Sequence, residues 1–250
     1  MGDTLAWRRK YGVVTPSTNT VVQPEYDNMR PPGVTNHIAR MHIPDEPVRS
    51  DKDFDELIRR IDVALEAAID RVVTCRPDHI VLGISAESIW GGGLEPSRKI
   101  ANRIRERAGD LPITQAADAL PAAFKALGIK RKIGLLTPYF PVATKHLNQF
   151  FDEFGLEVVR SVHLSCSGPV EIGFTTEREL ITSLKKIDGD DIEAIVQFGA
   201  NLPMGQVAAE AERWLFKPVL AVNTVTYWHA LRSGGINDKI YGFGKLLWEH

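Results

Sequence analysis

Several side chains that could bind or protonate a carboxylic acid stand directly after short apolar runs of the chain. Ser17 and Asn19 can donate hydrogen bonds to a carboxylate, and they are equally good helix N-caps. Tyr139 can donate a hydrogen bond or act as an acid, or it can be a packed side chain with one partner. Glu87 lies two residues beyond Ser85, where partial desolvation would suit it to general acid–base work, although a surface or capping role is the plainer interpretation.

The chain contains two cysteines, and they are far apart. Cys166 follows a predicted strand at 157–164, at the end expected to face a ligand, so it is either a proton carrier or a small buried apolar residue. Cys75 lies at the opposite end of the predicted sheet and is expected to be structural. Neither belongs to a Cys-x-x-Cys motif, which excludes a disulfide framework and a structural zinc site.

Patterns for metal ions and nucleotide cofactors are missing from the sequence. No two histidines are spaced for a shared metal on one helix face, and neither a Gly-x-Gly-x-x-Gly nor a P-loop pattern occurs. We therefore expect chemistry that needs no metal and no organic cofactor.

Three apolar runs occur twice in the same order, which indicates an internal duplication. Each run is short and rich in β-branched residues, as expected for a strand buried on both faces. The pairs are Lys10–Pro16 with Lys132–Pro138, Asp78–Gly83 with Glu193–Phe198, and Pro112–Ala116 with Pro218–Val222.

Amphipathic helical patterns separate these runs, the longest of them over residues 54–72. Strands that alternate with helices predict βαβ units and parallel sheets covered on both faces. The predicted fold is α/β, with two similar Rossmann-like halves related by a pseudo-twofold axis. We expect residues 1–117 and 222–250 to form the first half and residues 118–221 the second, with the C-terminal segment crossing back.

A ligand site is expected between the two halves. Ligands of open parallel sheets bind at the carboxyl ends of the strands, where helix N-termini favour carboxylates or phosphates. Two facing sheets would surround a small anion with hydrogen-bond donors from both sides.

The motifs after these strands resemble those of the maleate isomerase and arylmalonate decarboxylase branch of the aspartate/glutamate racemase superfamily. The resemblance covers nearly the whole chain. The motifs that carry it are Pro16-Ser17-Thr18-Asn19 after a Gly-Val-Val strand, Ser85 to Gly93, Thr137-Pro138-Tyr139, Gly199 to Pro203, and the tail Val219 to Leu231.

This resemblance implies a cofactor-independent enzyme with a small carboxylate held between two α/β halves. It implies that Asn19 and Tyr139 contact the substrate carboxylate. The substrate-binding positions that we carry over are Ser17, Asn19, Ala86, Gly199, Ala200 and Asn201, with backbone amides of the Ser85–Glu87 and Gly199–Ala200 loops around the ligand.

One departure limits the choice of reaction. Racemases and maleate isomerases of this superfamily carry a cysteine after the third strand of each half, because a thiol can be tuned to act as a base or nucleophile near neutral pH. In this chain those positions fall on Ser85 and on Gly199 or the adjacent Phe198. The chain is thus expected to lack both thiols, which argues against two-base racemisation and thiolate addition.

The leading hypothesis is an isomerase or decarboxylase of a small carboxylic acid, with a dicarboxylic acid expected. An enolate-like intermediate would be held by backbone amides and Tyr139, while Glu87 or Cys166 moves a proton. One alternative is a hydrolase or hydratase in which Glu87 activates water. Another is a carboxylate-binding protein without catalytic activity.

The charge and hydropathy of the chain limit the classes of binding partner that we expect. The 250 residues include 30 basic and 32 acidic side chains, a formal net charge of −2 that predicts neither nucleic-acid nor membrane binding. No apolar run approaches the roughly 20 residues needed to span a bilayer. The polar N-terminal segment lacks the apolar core of a secretory signal, so we predict a cytoplasmic protein. Apolar helix faces leave open whether the chain is a monomer or a homo-oligomer.

Overall fold

Two four-stranded parallel sheets form the framework of the computed structural model, which describes residues 3–47, 50–85 and 93–250. The first sheet has the order β2-β1-β3-β4 and the second the order β6-β5-β7-β8. The same strand order in both sheets confirms the predicted α/β fold of two similar halves. The strands are β1 (Arg9–Pro16), β2 (Val34–Met41), β3 (His79–Leu82), β4 (Ile113–Thr114), β5 (Lys132–Thr137), β6 (Glu157–His163), β7 (Ala194–Gln197) and β8 (Val219–Ala221).

Helices alternate with these strands, as the sequence pattern predicts. Short 3-10 helices occur at Val73–Cys75 and Glu171–Phe174. The described α-helices are α1 (Val22–Met29), α2 (Asp51–Val72), α3 (Glu95–Ala108), α4 (Ala116–Leu127), α5 (Ala143–Asp152), α6 (Glu177–Ile187), α7 (Gly205–Leu215), α8 (Val222–Ser233) and α9 (Lys245–Glu249).

The duplicated glycines mark where a helix packs against the middle of each central strand. A Cβ atom on Gly12 of β1 would lie 3.0 Å from Val72 Cγ2 of α2. On Gly134 of β5 it would lie 2.1 Å from Ile187 Cγ2 of α6. Gly134 therefore has no room for a methyl group, and at Gly12 the neighbouring side chains would have to shift by a few tenths of an ångström to admit one.

Helix α8 crosses back to the first half. It contacts α1, α4, β3 and β4, although it also touches β8. The ring of Tyr227 stacks on that of Tyr26 with centroids 4.6 Å apart, and the Tyr11 hydroxyl donates to the Ala230 carbonyl at 2.8 Å. The contacts with α1, β3 and β4 place α8 beside residues 1–117, while the contact with α4 (Ala116–Leu127) reaches into residues 118–221. The division into residues 1–117 with 222–250 and residues 118–221 stays a prediction.

None of the helices in the described part of the chain combines enough length with enough apolar character to cross a bilayer.

Candidate functional site

A small cavity lies where the carboxyl ends of the two sheets face each other. Its volume is about 60 Å³, the space of about two water molecules. Both halves contribute to it, since the loops after β1 and β3 meet those after β5 and β7. The described residues that line it are Pro16, Thr18, Asn19, Ile43, Leu57, Ile61, Ile84, Ser85, Tyr139, Pro169, Ile172, Gly199, Ala200 and Asn201.

Asn19 combines the two roles that the sequence left open. Its Oδ1 atom accepts from the amides of Val21 and Val22 at 3.0 and 2.9 Å, where the chain enters α1. Those two donors fix which end of the amide faces the helix. The Nδ2 atom has no acceptor among the described residues, so a buried amide donor in the cavity wall remains available to a carboxylate.

Three residues from the two halves meet at one hydroxyl group. The Ser85 Oγ atom lies 3.2 Å from the Tyr139 hydroxyl, and it accepts the amide N–H of Ala200 at 3.1 Å. Because Ser85 already accepts from Ala200, its own proton can be donated to Tyr139 or to a ligand. All three side chains are buried, which strengthens these hydrogen bonds relative to bonds in water.

The loop after β7 is held in an unusual backbone conformation. Gly199 has a φ of 144°, and its carbonyl accepts from Gln197 Nε2 at 2.8 Å. A Cβ atom at this position would lie 2.3 Å from Pro138 Cδ. Glycine is required here because both the backbone angle and the close approach exclude a side chain.

Asn201 lines the cavity, but its polar atoms bind neighbouring loops. Its Oδ1 accepts from the Thr20 amide at 2.9 Å, and its Nδ2 donates to the Pro169 carbonyl at 2.8 Å. The side chain therefore joins the loop after β1 to the loop after β6. A role in substrate binding stays a prediction, and the side-chain contacts favour a structural one.

Other predicted residues lie away from the lining. The exposed Ser17 shares its hydroxyl with the backbone of Ile43, accepting at 3.0 Å and donating at 3.1 Å. Cys166 is half-buried with its sulfur 3.9 Å from Thr175 Oγ1, and burial raises the pKa of its thiol. A raised pKa disfavours the reactive thiolate. The predicted positions Ala86 and Glu87 lie outside the described residues.

Sequence reasoning missed one polar residue and the apolar wall of the site. Thr18, rather than Ser17, lies buried in the lining, and only the shared loop motif pointed to it. The apolar part of the lining, called the apolar wall, comes from four separate segments of the chain. Its residues are Ile43, Leu57, Ile61, Ile84, Pro169 and Ile172.

Neutral donors dominate the polar wall of the cavity. Tyr139 is the one titratable side chain among the described lining residues. Behind the loop, the Arg40 guanidinium donates to the Asn19 carbonyl and to Gln23 Oε1, the latter at 2.9 Å. An anion would therefore be bound by hydrogen bonds and by the N-terminus of α1, with the Arg40 guanidinium behind the loop.

In the described parts of the chain, no group of three or more histidine, cysteine, aspartate or glutamate side chains could hold a metal ion.

Comparisons with known proteins agree with this architecture. A family model for arylmalonate decarboxylase matches residues 50–247. A maleate isomerase from Alcaligenes faecalis is 24% identical over 247 residues, which cover 95% of this chain and 96% of that protein.

Solved structures show the same fold at lower identity. A maleate cis-trans isomerase from Nocardia farcinica has a TM-score of 0.85 at 21% identity, covering 97% of this chain and 99% of that one. It is a cysteine-to-serine variant with a covalently bound succinylcysteine intermediate. A liganded arylmalonate decarboxylase variant has a TM-score of 0.79 at 20% identity, covering 97% of this chain and all of that one.

Proposed function

We propose, since this chain belongs to the arylmalonate decarboxylase family, that it decarboxylates a small malonate-type acid carrying an apolar substituent, without a metal or an organic cofactor. The observation that carries the proposal is the junction of Ser85, Tyr139 and the Ala200 amide in a cavity with one apolar wall. The polar wall suits a carboxylate, and the apolar wall suits the substituent.

The two cysteines of the chain argue against chemistry through a covalent cysteine adduct. Cys166 is outside the cavity lining, and Cys75 precedes β3, at the opposite end of the sheet. On the resemblance, the positions of the two family cysteines fall on Ser85 and on Gly199 or the adjacent Phe198. A route through a succinylcysteine intermediate, as in the Nocardia isomerase, therefore has no thiol to use here.

Decarboxylation needs an electron sink and a proton donor, and the polar wall offers both. The bond from the α-carbon to one carboxyl carbon breaks, carbon dioxide leaves, and the bonding electrons remain as an enediolate on the retained carboxylate. Asn19 Nδ2 and the Tyr139 hydroxyl stabilise the enediolate oxygens. A proton from the Ser85–Tyr139 pair then moves to the α-carbon, and water restores the pair.

The apolar wall assists the step in which carbon dioxide leaves. A carboxylate beside Ile43, Leu57 and Ile172 loses part of its hydration, while the departing carbon dioxide is neutral. The charge that develops on the retained carboxylate is meanwhile directed toward hydrogen-bond donors. The apolar lining would thus surround the departing carboxylate and the substituent, while the hydrogen-bond donors bind the retained carboxylate.

The test is to incubate the purified protein with malonate, methylmalonate, phenylmalonate and maleate in deuterium oxide and to follow proton spectra and carbon dioxide release. We expect methylmalonate to yield propionate with one deuterium on the α-carbon. Conversion of maleate to fumarate would contradict the proposal, and so would the addition of water to maleate. The latter outcome would support the hydratase alternative based on Glu87.

A second candidate function is carboxylate binding without turnover. It is favoured by one observation: the described lining residues include no carboxylate, imidazole or thiol that could carry a proton. Saturable binding of methylmalonate in calorimetry, with no carbon dioxide released, would support this candidate and overturn the first.

A further inference from the structure

A carboxylate on α1 reaches from the first half of the chain to the second. The Glu25 Oε1 atom accepts from the amide of Gly205 at 2.8 Å, at the N-terminus of α7. Its Oε2 atom accepts from Asn223 Nδ2 at 2.7 Å, at the first turn of α8. An acidic side chain at a helix N-terminus is electrostatically favourable, so this contact stabilises the junction of the halves.

Asn223 extends this contact to the cavity. The same Nδ2 atom that donates to Glu25 also donates to the carbonyl of Ala200 at 3.0 Å. Ala200 lines the cavity, whereas Glu25 and Asn223 are not among its lining residues. We propose that Glu25 and Asn223 are positioning residues that hold the Gly199–Ala200 loop in its ligand-binding conformation. We refer to this set of contacts as the Glu25 clamp; it consists of the Glu25 carboxylate, Asn223 and the Gly205 amide.

Residue 200 is held on both sides. The Ala200 amide N–H donates to Ser85 Oγ, and the Ala200 carbonyl accepts from Asn223 Nδ2. The carbonyl of the preceding residue, Gly199, accepts from Gln197 Nε2. Loss of the Asn223 contact would leave one of these three hydrogen bonds unmade and let the 200–201 peptide rotate. The donor from Ala200 to Ser85, and with it the Ser85–Tyr139 pair, would then be less precisely placed. A small displacement of such groups has large effects on catalysis.

The clamp requires that both terminal side-chain atoms of residue 25 accept hydrogen bonds. A carboxylate accepts at both, while glutamine would turn an N–H toward either Gly205 or Asn223 and lose that contact. Protonation of the carboxylate likewise turns one of its oxygens into a donor, so the contact at that oxygen is lost. The clamp is therefore complete only when Glu25 is ionised.

Burial raises the pKa of Glu25 to about 7, while hydrogen bonds from Asn223, Gly205 and Met204 act in the opposite direction. The other titratable groups that face it are Glu177 and Glu210 in the adjoining groove and the neighbouring Tyr26. No basic side chain is found among the described residues of that groove. The clamp should accordingly become complete as the pH rises through about 7.

The test compares Glu25→Gln with the matched control Glu210→Gln. Glu210 is an exposed carboxylate that lines the same groove and makes no hydrogen bond to the described residues. Amide hydrogen exchange of peptides spanning residues 198–202 is measured from acidic to alkaline pH and corrected for chemical exchange rates. We expect protection to increase through about pH 7 in the parent protein and the control, and to stay low and flat in Glu25→Gln.

Turnover gives a second measure, which rests on the proposed function. With methylmalonate, Glu25→Gln should lower kcat roughly tenfold, as expected for one lost hydrogen bond to a charged group, and change KM less. The rise of kcat through about pH 7 should disappear with it. If the parent protein converts none of the acids, the proposed function fails while the exchange measurement still decides the clamp.

Equal protection and equal pH profiles in Glu25→Gln and Glu210→Gln would overturn the inference. A second variant guards against misfolding of the first. Asn223→Ala leaves the contact between Glu25 and Gly205 in place and removes both hydrogen bonds of Asn223, the one to Glu25 and the one to Ala200. It should lose the same protection at residues 198–202, and normal protection there would also contradict the clamp.

Discussion

The phenolic oxygen of Tyr139 lies 3.2 Å from the hydroxyl oxygen of Ser85, across the boundary between the two halves of the chain. Each residue follows a strand of a different sheet, and each strand has a counterpart in the internal duplication. Ser85 of the first half bridges the Tyr139 hydroxyl and the Ala200 amide, both of which belong to the second half. The contact therefore makes the cavity a property of the assembled pair of halves.

Replacement of this phenol should separate catalysis from folding. We expect Tyr139→Phe to lower turnover of methylmalonate by about 100-fold, the usual effect of removing a donor to a developing oxyanion. It should cost only about 1 kcal/mol in the free energy of unfolding, because one hydrogen bond is lost and the ring still packs. Initial rates and urea unfolding measure the two effects.

The control for that variant is Tyr241→Phe. Tyr241 is 71% exposed, stacks on Trp248, and lies outside the cavity. It should keep both turnover and stability. Loss of turnover in proportion to loss of stability in Tyr139→Phe would instead make Tyr139 a packing residue.

Gly199→Ala should destabilise the protein although it adds only one methyl group. The new Cβ atom would meet Pro138 Cδ at 2.3 Å, in a backbone conformation that residues other than glycine rarely adopt. We expect a loss of about 3 kcal/mol in the free energy of unfolding. The same strain would oppose a cysteine at this position.

Gly235→Ala measures the cost of a positive φ angle in the absence of a steric clash. Gly235 also has a positive φ, of 76°, but a Cβ atom there would meet nothing within 4 Å. It should lose about 1 kcal/mol, and chemical denaturation of the two variants side by side gives the difference. If both variants lost the same amount, the clash with Pro138 would have no part in the effect.

The strands and helices could be predicted from the sequence because local hydrophobic patterns determine them. The repeated runs at 10–16 and 132–138 are the central strands β1 and β5, and the stripe at 54–72 is the helix α2. The family match confirms the resemblance, and it agrees with the predicted enzyme of the isomerase or lyase type. A cytoplasmic location and the oligomeric state stay predictions.

The site was harder to predict because its contacts join distant parts of the chain. Ser17 and Thr18 are neighbours of similar chemistry, and only the backbone conformation decides that Thr18 lines the cavity while Ser17 binds Ile43. Glu25 shows no sequence signal, since its partners lie 180 and 198 positions away. Such pairs depend on how the halves meet.

Enlarging the apolar wall should change which acids are accepted. Leu57 of α2 is half-buried at the cavity, so Leu57→Ala would create space there. We expect kcat/KM to shift from methylmalonate toward phenylmalonate by about tenfold, a typical effect of altered pocket volume. Competition between the two acids in one reaction mixture measures this ratio directly.

Leu65→Ala is the matched control on the same helix. Leu65 is buried in the core away from the cavity, and its truncation should cost roughly 2–5 kcal/mol with no change in the ratio. An equal shift in both variants would mean that general loosening of α2, rather than cavity size, sets the preference.

Protonation of Glu25 should leave a signature in the stability of the protein as well as in the exchange of its loop. Its pKa is raised from 4.5 to about 7 in the folded chain, chiefly by burial. Between these values the folded state binds more protons than the unfolded state, so this group makes stability fall as the pH rises from about 4.5 to about 7. The fall ends above that range, where Glu25 is ionised in both states.

Urea unfolding at a series of pH values should show this decline in the parent protein and its loss in Glu25→Gln. Other acidic groups contribute equally to both curves and cancel in their difference. Parallel curves across the range would mean that Glu25 titrates normally, and that burial at the junction of the halves does not hold its proton.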